Sequence, residues 1–208
     1  MAIVGQFNGN KIISVPSSPG FRSIDWNATD IVGVGTNTFT GQQQVQSWQS
    51  GFLSGTVTLP AMTRQQARTW ISFLLQAQGS YNVFQIGDKF CVNPLGSALG
   101  SPVTLGFGQS GYTLNTNGWD ASAQGVLLAG DYVQLGYRLY RCLDDVNADG
   151  TGNASFSIWP QIRETVPSGT PLITTNTKGL FRLASNQRSW NESYIRTVGL
   201  SFHIIEAL

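Results

Sequence analysis

The sequence predicts a mainly β protein with one α-helix: a β-sandwich or barrel packed by that helix, with an inserted small all-β barrel-like domain. Three observations predict it. Helical periodicity is confined to one stretch, which follows Thr63. β-prone segments flank that helix and return in the last thirty residues. Between residues 89 and 178 no helical period occurs, and turn formers recur at short intervals.

Taken in order, residues 1–40 mix short β-rich pieces with turn signals, as where Lys11–Val15 runs into Pro16-Ser17-Ser18-Pro19-Gly20. Ile31–Thr40 is apolar, β-prone and uncharged, which fits either a buried strand or a hairpin arm reaching toward a neighbour. Gln42–Gln49 is glutamine-rich with Val45 and Trp48 interspersed, as suits a strand whose outer face meets another polar surface. Gly55–Leu59 alternates with the period of a half-buried strand, and Pro60 ends it. Thr63 is placed as a helix N-cap, where its hydroxyl accepts a bond from a first-turn N–H, and Gln66 completes a capping box. Met62 and Ala67 occupy the positions of a hydrophobic staple. Ala67, Trp70, Ile71, Leu74 and Gln78 share one face, apolar but for Gln78, so Trp70, Ile71 and Leu74 are the expected helix core. Gly79 stands where a left-handed stop residue is wanted. Tyr81–Ile86 resumes as a strand with Phe84 and Ile86 on one face. The apolar stripe of the helix needs covering, so it is expected to lie across a sheet that contains both flanking strands.

Short strands are expected at 103–106, 112–115, 125–128, 131–143 and 153–162, a spacing that fits a small barrel or sandwich. The clearest unit is Tyr132–Leu143, after which Asp149-Gly150 closes a turn and Ala154–Trp159 returns as the partner strand. Leu180–Leu183 is strand-like, and Val198, Leu200, Phe202 and Ile204 alternate with Gly199, Ser201 and His203. A terminal strand with one apolar face needs a sheet to join. Residues 1–88 and 179–208 are therefore expected to form one domain, with 89–178 inserted in it as a second.

At 208 residues the chain is long enough to bury roughly 70% of its unfolded surface. Only 11% of the residues are charged, against about 25% in ordinary domains. A net charge of +1 gives no electrostatic case for nucleic acid, and it leaves little repulsion between copies, so much of the surface is expected to be covered in an assembly. No apolar run is long enough for a membrane span, and the N-terminus lacks the pattern of a signal peptide. Cys91 and Cys142 are expected to remain thiols.

Tests for chemistry fail one by one. Gly108-Gln109-Ser110-Gly111-Tyr112 approaches a nucleophile elbow but has Tyr112 where the second glycine belongs, and the only histidine, His203, falls in an alternating terminal strand. The acids are scattered, mostly in turns, and do not present a glycosidase pair. Asp145-x-Asn147-x-Asp149-Gly150 opens like a calcium loop, but position twelve is Phe156, not a bidentate Glu, and the flanks are strands. It is read as a hairpin turn with weak cation candidates Asp145, Asn147 and Asp149. No phosphate-binding loop, dinucleotide fingerprint or CxxC motif occurs, and nothing asks for a cofactor. Most aromatics, such as Trp70, Phe84 and Phe202, fall on expected core faces. Trp119, Tyr112 and Trp190 are the expected exposed ones.

Phe39-Thr40-Gly41-Gln42-Gln43-Gln44-Val45, Trp48-Gln49, Val57-Thr58-Leu59-Pro60, the Arg64…Trp70-Ile71-Ser72-Phe73-Leu74 helix with Gly79, and Phe84-Gln85-Ile86-Gly87-Asp88 resemble a family of tail proteins from tailed phages and prophages. Leu128–Tyr132, Arg138-Leu139-Tyr140, Ile158–Arg163, Gly179–Leu183, Ser201-Phe202 and Glu206-Ala207 fit the same family, so the resemblance covers nearly the whole chain. It implies a distal tail or baseplate-hub component of a siphophage-type tail, with a tail-tube-like fold. The implied role is a non-enzymatic structural virion protein, commonly a homo-hexameric ring. Such a ring links the tail tube to the hub and fibres, sits at the virion tail tip and is assembled in the host cytoplasm. The uncharged Ile31–Gln44 segment supplies the expected subunit-interface residues: Ile31, Val34, Phe39, Thr40, Gln42 and Gln44. The alternative is a carbohydrate-binding module without catalytic activity, a monomer that holds glycans through loop tryptophans; the missing export signal argues against it.

Overall fold

The computed structural model describes residues 2–48, 50–190 and 197–208. Gln49, at the end of the glutamine-rich segment, and the side chain of Val198 lie outside what is described. In chain order the elements are β1 (Ile3–Phe7), β2 (Asn10–Ile13), β3 (Ser23–Thr29), β4 (Val32–Thr36), β5 (Gln43–Ser47), β6 (Phe52–Thr58), β7 (Met62–Thr63), α1 (Arg64–Gln76) and β8 (Val83–Ile86). Then come β9 (Gly100–Thr104), β10 (Gln109–Trp119), β11 (Tyr132–Leu135), β12 (Arg138–Cys142), β13 (Ala154–Val166), β14 (Leu172–Ile173), β15 (Gly179–Leu183), β16 (Thr197–Val198) and β17 (Ser201–Glu206). The protein is mainly β with one helix among the described residues. No helix among them is long and apolar enough to cross a membrane.

Seven strands make one sheet in the order β1-β2-β8-β15-β17-β6-β3. Both strands that flank the helix in sequence, β6 and β8, are in it, and α1 covers one of its faces. The cap forms as the spacing requires: Gln66 N–H donates to Thr63 Oγ1 at 3.4 Å, and Thr63 N–H donates to Gln66 Oε1 at 3.0 Å. Met62 and Ala67 are both buried.

The buried face of the helix is rotated from the one expected. Ala67, Trp70, Phe73, Leu74 and Ala77 are buried, while Ile71 is only partly so. Phe73 is the centre of this face, its ring centroid 5.2 Å from Phe84 and 5.7 Å from Trp70. A stripe read at i, i+3, i+4 and i+7 leaves Phe73 at its edge, but the sheet presents Phe84 and Phe202 on that side, and aromatic area decides which arc is buried. The left-handed stop begins one residue early, at Gln78 with φ +52°, and continues through Gly79.

The other large sheet has the order β14-β11-β12-β13-β10-β9 and is nearly closed, because Val103 bridges to Pro171 between its two end strands. Leu114, Val133, Phe156, Ile158 and Ile162 lie in its own core. Two strand expectations change here. The 131–143 run is a hairpin, β11 and β12 joined by a two-residue turn at Gly136-Tyr137, and β13 then pairs with β12 through Arg141 and Cys142. Residues 125–128 form no strand, only the isolated bridge Leu127–Val146. The reason is local: Gly125 N–H donates to Asn147 Oδ1 and Leu128 N–H to Asp131 Oδ2, so side chains take the bonds a ladder would need.

The two sheets meet over a mixed surface. Tyr132, Leu139 and Trp159 pack into the same cluster as Phe181 and the helix. Beside them Arg163 donates to Glu206 at 2.7 Å, and Arg138 donates to Glu164 and to the Ala207 carbonyl. Glu206 also accepts the Leu53 N–H at 3.3 Å.

Candidate interaction site

β4 and β5 pair only with each other, from Val32↔Ser47 to Thr36↔Gln43. They form a two-stranded arm separate from both large sheets. Of the two readings open for Ile31–Thr40, the structure has the hairpin arm and not the buried strand.

The arm is built by local chemistry. At its root, Asp30 Oδ1 accepts the indole N–H of Trp159 at 2.8 Å, which ties the arm to β13. Ile31 closes the base by accepting the Trp48 N–H at 3.0 Å. The Trp48 ring lies across Gly33, where an added Cβ would stand 2.6 Å from a ring carbon, so only glycine admits the ring. At the tip, Asn37 Oδ1 accepts the N–H groups of Phe39 at 2.9 Å and Thr40 at 3.3 Å, and the Thr40 hydroxyl accepts the Gln42 N–H. Side-chain acceptors thus hold the apex turn without help from either sheet.

What the arm presents is apolar and uncharged. Phe39 stands at the apex with 98% of its surface exposed. Val34 and Val45 face each other across the two strands and are 58% and 61% exposed. No charged residue occurs between Asp30 and Arg64. Six expected interface residues, Ile31, Val34, Phe39, Thr40, Gln42 and Gln44, are all brought together on this arm and all exposed. Val32, Val45 and Trp48 are further exposed apolar residues of the same arm, beyond those six. Two of them carried a signal, since Val45 and Trp48 are the apolar residues that interrupt the glutamines.

The remaining candidates lie elsewhere and do not converge. Asp145 Oδ1 accepts the Ala129 N–H and Asn147 Oδ1 the Gly125 N–H, while Asp149 Oδ1 accepts from Thr151 and Asn153. Those hydrogen bonds hold the Asp149 carboxyl down to about 2, the Asn153 N–H contributing most. Each oxygen thus fixes a turn. Among the described residues no group of three or more His, Cys, Asp or Glu side chains is placed to hold a metal. His203 Nδ1 lies 2.9 Å from Thr56 Oγ1 on β6, whereas Ser110 is on β10 of the other sheet. Trp119 is a correction: it is 4% exposed, its indole N–H donating to the buried Thr116 hydroxyl at 2.8 Å, because its strand turns it into the barrel core. Tyr112 and Trp190 are exposed as expected. Cys91 is exposed and Cys142 buried, both free, and burial pushes the Cys142 thiol up to about 11.

Compared with known proteins, the chain matches no family model and no curated protein.

Proposed function

We propose that this chain is a non-enzymatic structural subunit of a phage tail tip, a distal-tail type ring component that joins the tail tube to the hub and host-recognition apparatus. The arm formed by β4 and β5 carries the reading. An isolated hairpin has two strand edges with unpaired backbone groups, and here Phe39, Val34 and Val45 add apolar surface with no charge to keep it solvated. Alone, such an edge is a template for pairing with another chain; in a closed ring the next subunit covers it. Depletion of charge is also what the centre of an interface requires. The resemblance described above supplies the tail-tip context, and the arm supplies the means of assembly.

The test is direct. Electron microscopy and mass measurement of the wild-type protein should show a closed ring, alone or with a hub partner. Phe39→Asp should block it while leaving the subunit folded by circular dichroism, since the side chain touches no core but its charge would be desolvated at the contact. Burying a Phe contributes about 2 kcal/mol at each contact, enough to shift assembly by more than tenfold. Unfolding of the variant would overturn the interface. Failure of the wild type to appear as a ring, alone, with a partner or in a virion, would overturn the tail-tip assignment.

A further inference from the structure

A cavity of about 350 Å³ lies at the side of the seven-stranded sheet, away from the arm. Its volume is at the lower end of the range typical of ligand pockets, roughly 300–1,000 Å³. Ile13, Val15, Phe21 and Ile86 give it an apolar floor, and Lys89 and Lys178 stand on its wall.

The sequence brings those two lysines together by a close backbone approach. β8 and β15 pair with Gly179 opposite Ile86, and the chain leaves β8 through Gly87. A Cβ on Gly87 would sit 1.8 Å from the Thr177 carbonyl oxygen, so only glycine lets the 87–89 segment lie against 177–178. Lys89 Nζ is then held 4.4 Å from the centroid of the Phe21 ring, a cation–π contact that keeps the ammonium beside the cavity. Lys178 is anchored through its backbone N–H, which donates to Gln134 Oε1 at 2.7 Å, so its side chain takes no part in that bond.

Among the described residues neither lysine is in an ion pair. The single acid on the wall, Asp88, turns Oδ1 to the Phe90 N–H at 2.9 Å and caps its own turn. The lining therefore includes two lysines outside any ion pair among the described residues, against one carboxylate that is already hydrogen-bonded. Apolar floor and cationic wall ask for two things in one ligand: a hydrophobic body and an anionic end. Inorganic anions lack the first and neutral lipids lack the second.

We propose that this cavity binds a carboxylate borne on a short apolar body, with Lys89 and Lys178 holding the carboxylate and the Ile13–Phe21 floor taking the body. The chemistry is shared by a free medium-chain carboxylic acid and by the C-terminal residue of an apolar peptide. It is independent of the ring assignment, because no residue of the β4–β5 arm lines the cavity.

Calorimetric titration of the intact protein tests it with five probes: octanoate, octanol, acetate, N-acetyl-leucyl-leucine, and the same dipeptide amidated. Octanoate or the free-acid dipeptide should bind at least about tenfold more tightly than the uncharged counterpart and than acetate. Lys178→Gln and Lys89→Gln should each weaken that binding several-fold, with melting temperatures within about two degrees of wild type. Binding by octanoate alone identifies a free acid, and binding by the dipeptide acid alone a peptide terminus; both uphold the site. Equal binding of charged and neutral probes, no binding by any, or indifference to both substitutions would overturn it. If one variant does not fold, the other decides.

Discussion

Phe73 shows what a single side chain settles. It is fully buried, with ring contacts to Trp70, Phe84 and Phe202, and it fixes how α1 is turned on the sheet. Phe73→Ala should lower stability by about 3–5 kcal/mol in denaturant titration, because the removed ring leaves a cavity between helix and sheet. Ile71→Ala should cost only about 1–2 kcal/mol, since its side chain is only partly buried at the edge of the core. Equal costs would mean that the helix presents the face centred on Ile71 after all. Phe39 is the opposite case, a large apolar ring with no core contact, whose meaning lies outside the subunit. The sequence shows Phe73 in an apolar helical run and Phe39 in an uncharged, β-prone one between Thr38 and Thr40, and neither setting says where the ring points. Only tertiary context separates a ring that meets Phe84 from one that meets solvent.

At the scale of elements, what was legible was local. The Thr63–Gln66 capping box, the alternation of β6 and the pairing of β13 with β12 rest on residues close in sequence or on a strict period, and the structure has all three. What escaped depended on distant partners. Asp131 is buried because it accepts N–H groups from Leu95 and Gly96 as well as Leu128, and no pattern near residue 131 announces the first two. The arm was legible as uncharged and β-prone, but exposure was not, since such a run reads alike inside a sheet or beyond it. The Asp145–Asp149 loop gives an element-scale prediction. Asp149 has a carboxyl depressed from 3.8 to about 2 by the hydrogen bonds of its own turn. A depressed acid contributes stability that is present above its unfolded value and lost as pH falls through the folded one, so the turn should hold down to about pH 4 and weaken toward pH 2. With the oxygens engaged in the turn, adding calcium or chelator at neutral pH should leave the melting temperature unchanged within about a degree. A calcium-dependent rise of several degrees would show a cation site instead.

Across the whole molecule, the seven-stranded sheet draws its strands from residues 3–86 and 179–206, and the nearly closed sheet from 100–173. Their relative placement depends on the surface where Tyr132, Leu139 and Trp159 meet the first sheet, and on the ionic cluster beside it. Arg138 reaches both Glu164 and Glu206, but the two carboxylates are not equivalent. The Glu164 side chain is 56% exposed, whereas that of Glu206 is 3% exposed and also engages Arg163 and the Leu53 N–H. An exposed pair is screened by water and contributes about 0–1 kcal/mol, so Glu164→Ala should hardly move the denaturation midpoint. Removing the buried partner is different. Glu206→Ala would leave the Arg163 guanidinium without its carboxylate, Arg138 with one fewer, and the Leu53 N–H unpaired between the sheets. That should cost about 3 kcal/mol or more. A Glu164→Ala loss as large as the Glu206→Ala loss would show that the outer bond, not the buried one, holds the sheets together. Because Glu206 lies on the terminal strand β17, the predicted asymmetry also places the junction of the two sheets on the last strand of the chain, the strand that pairs with both β15 and β6.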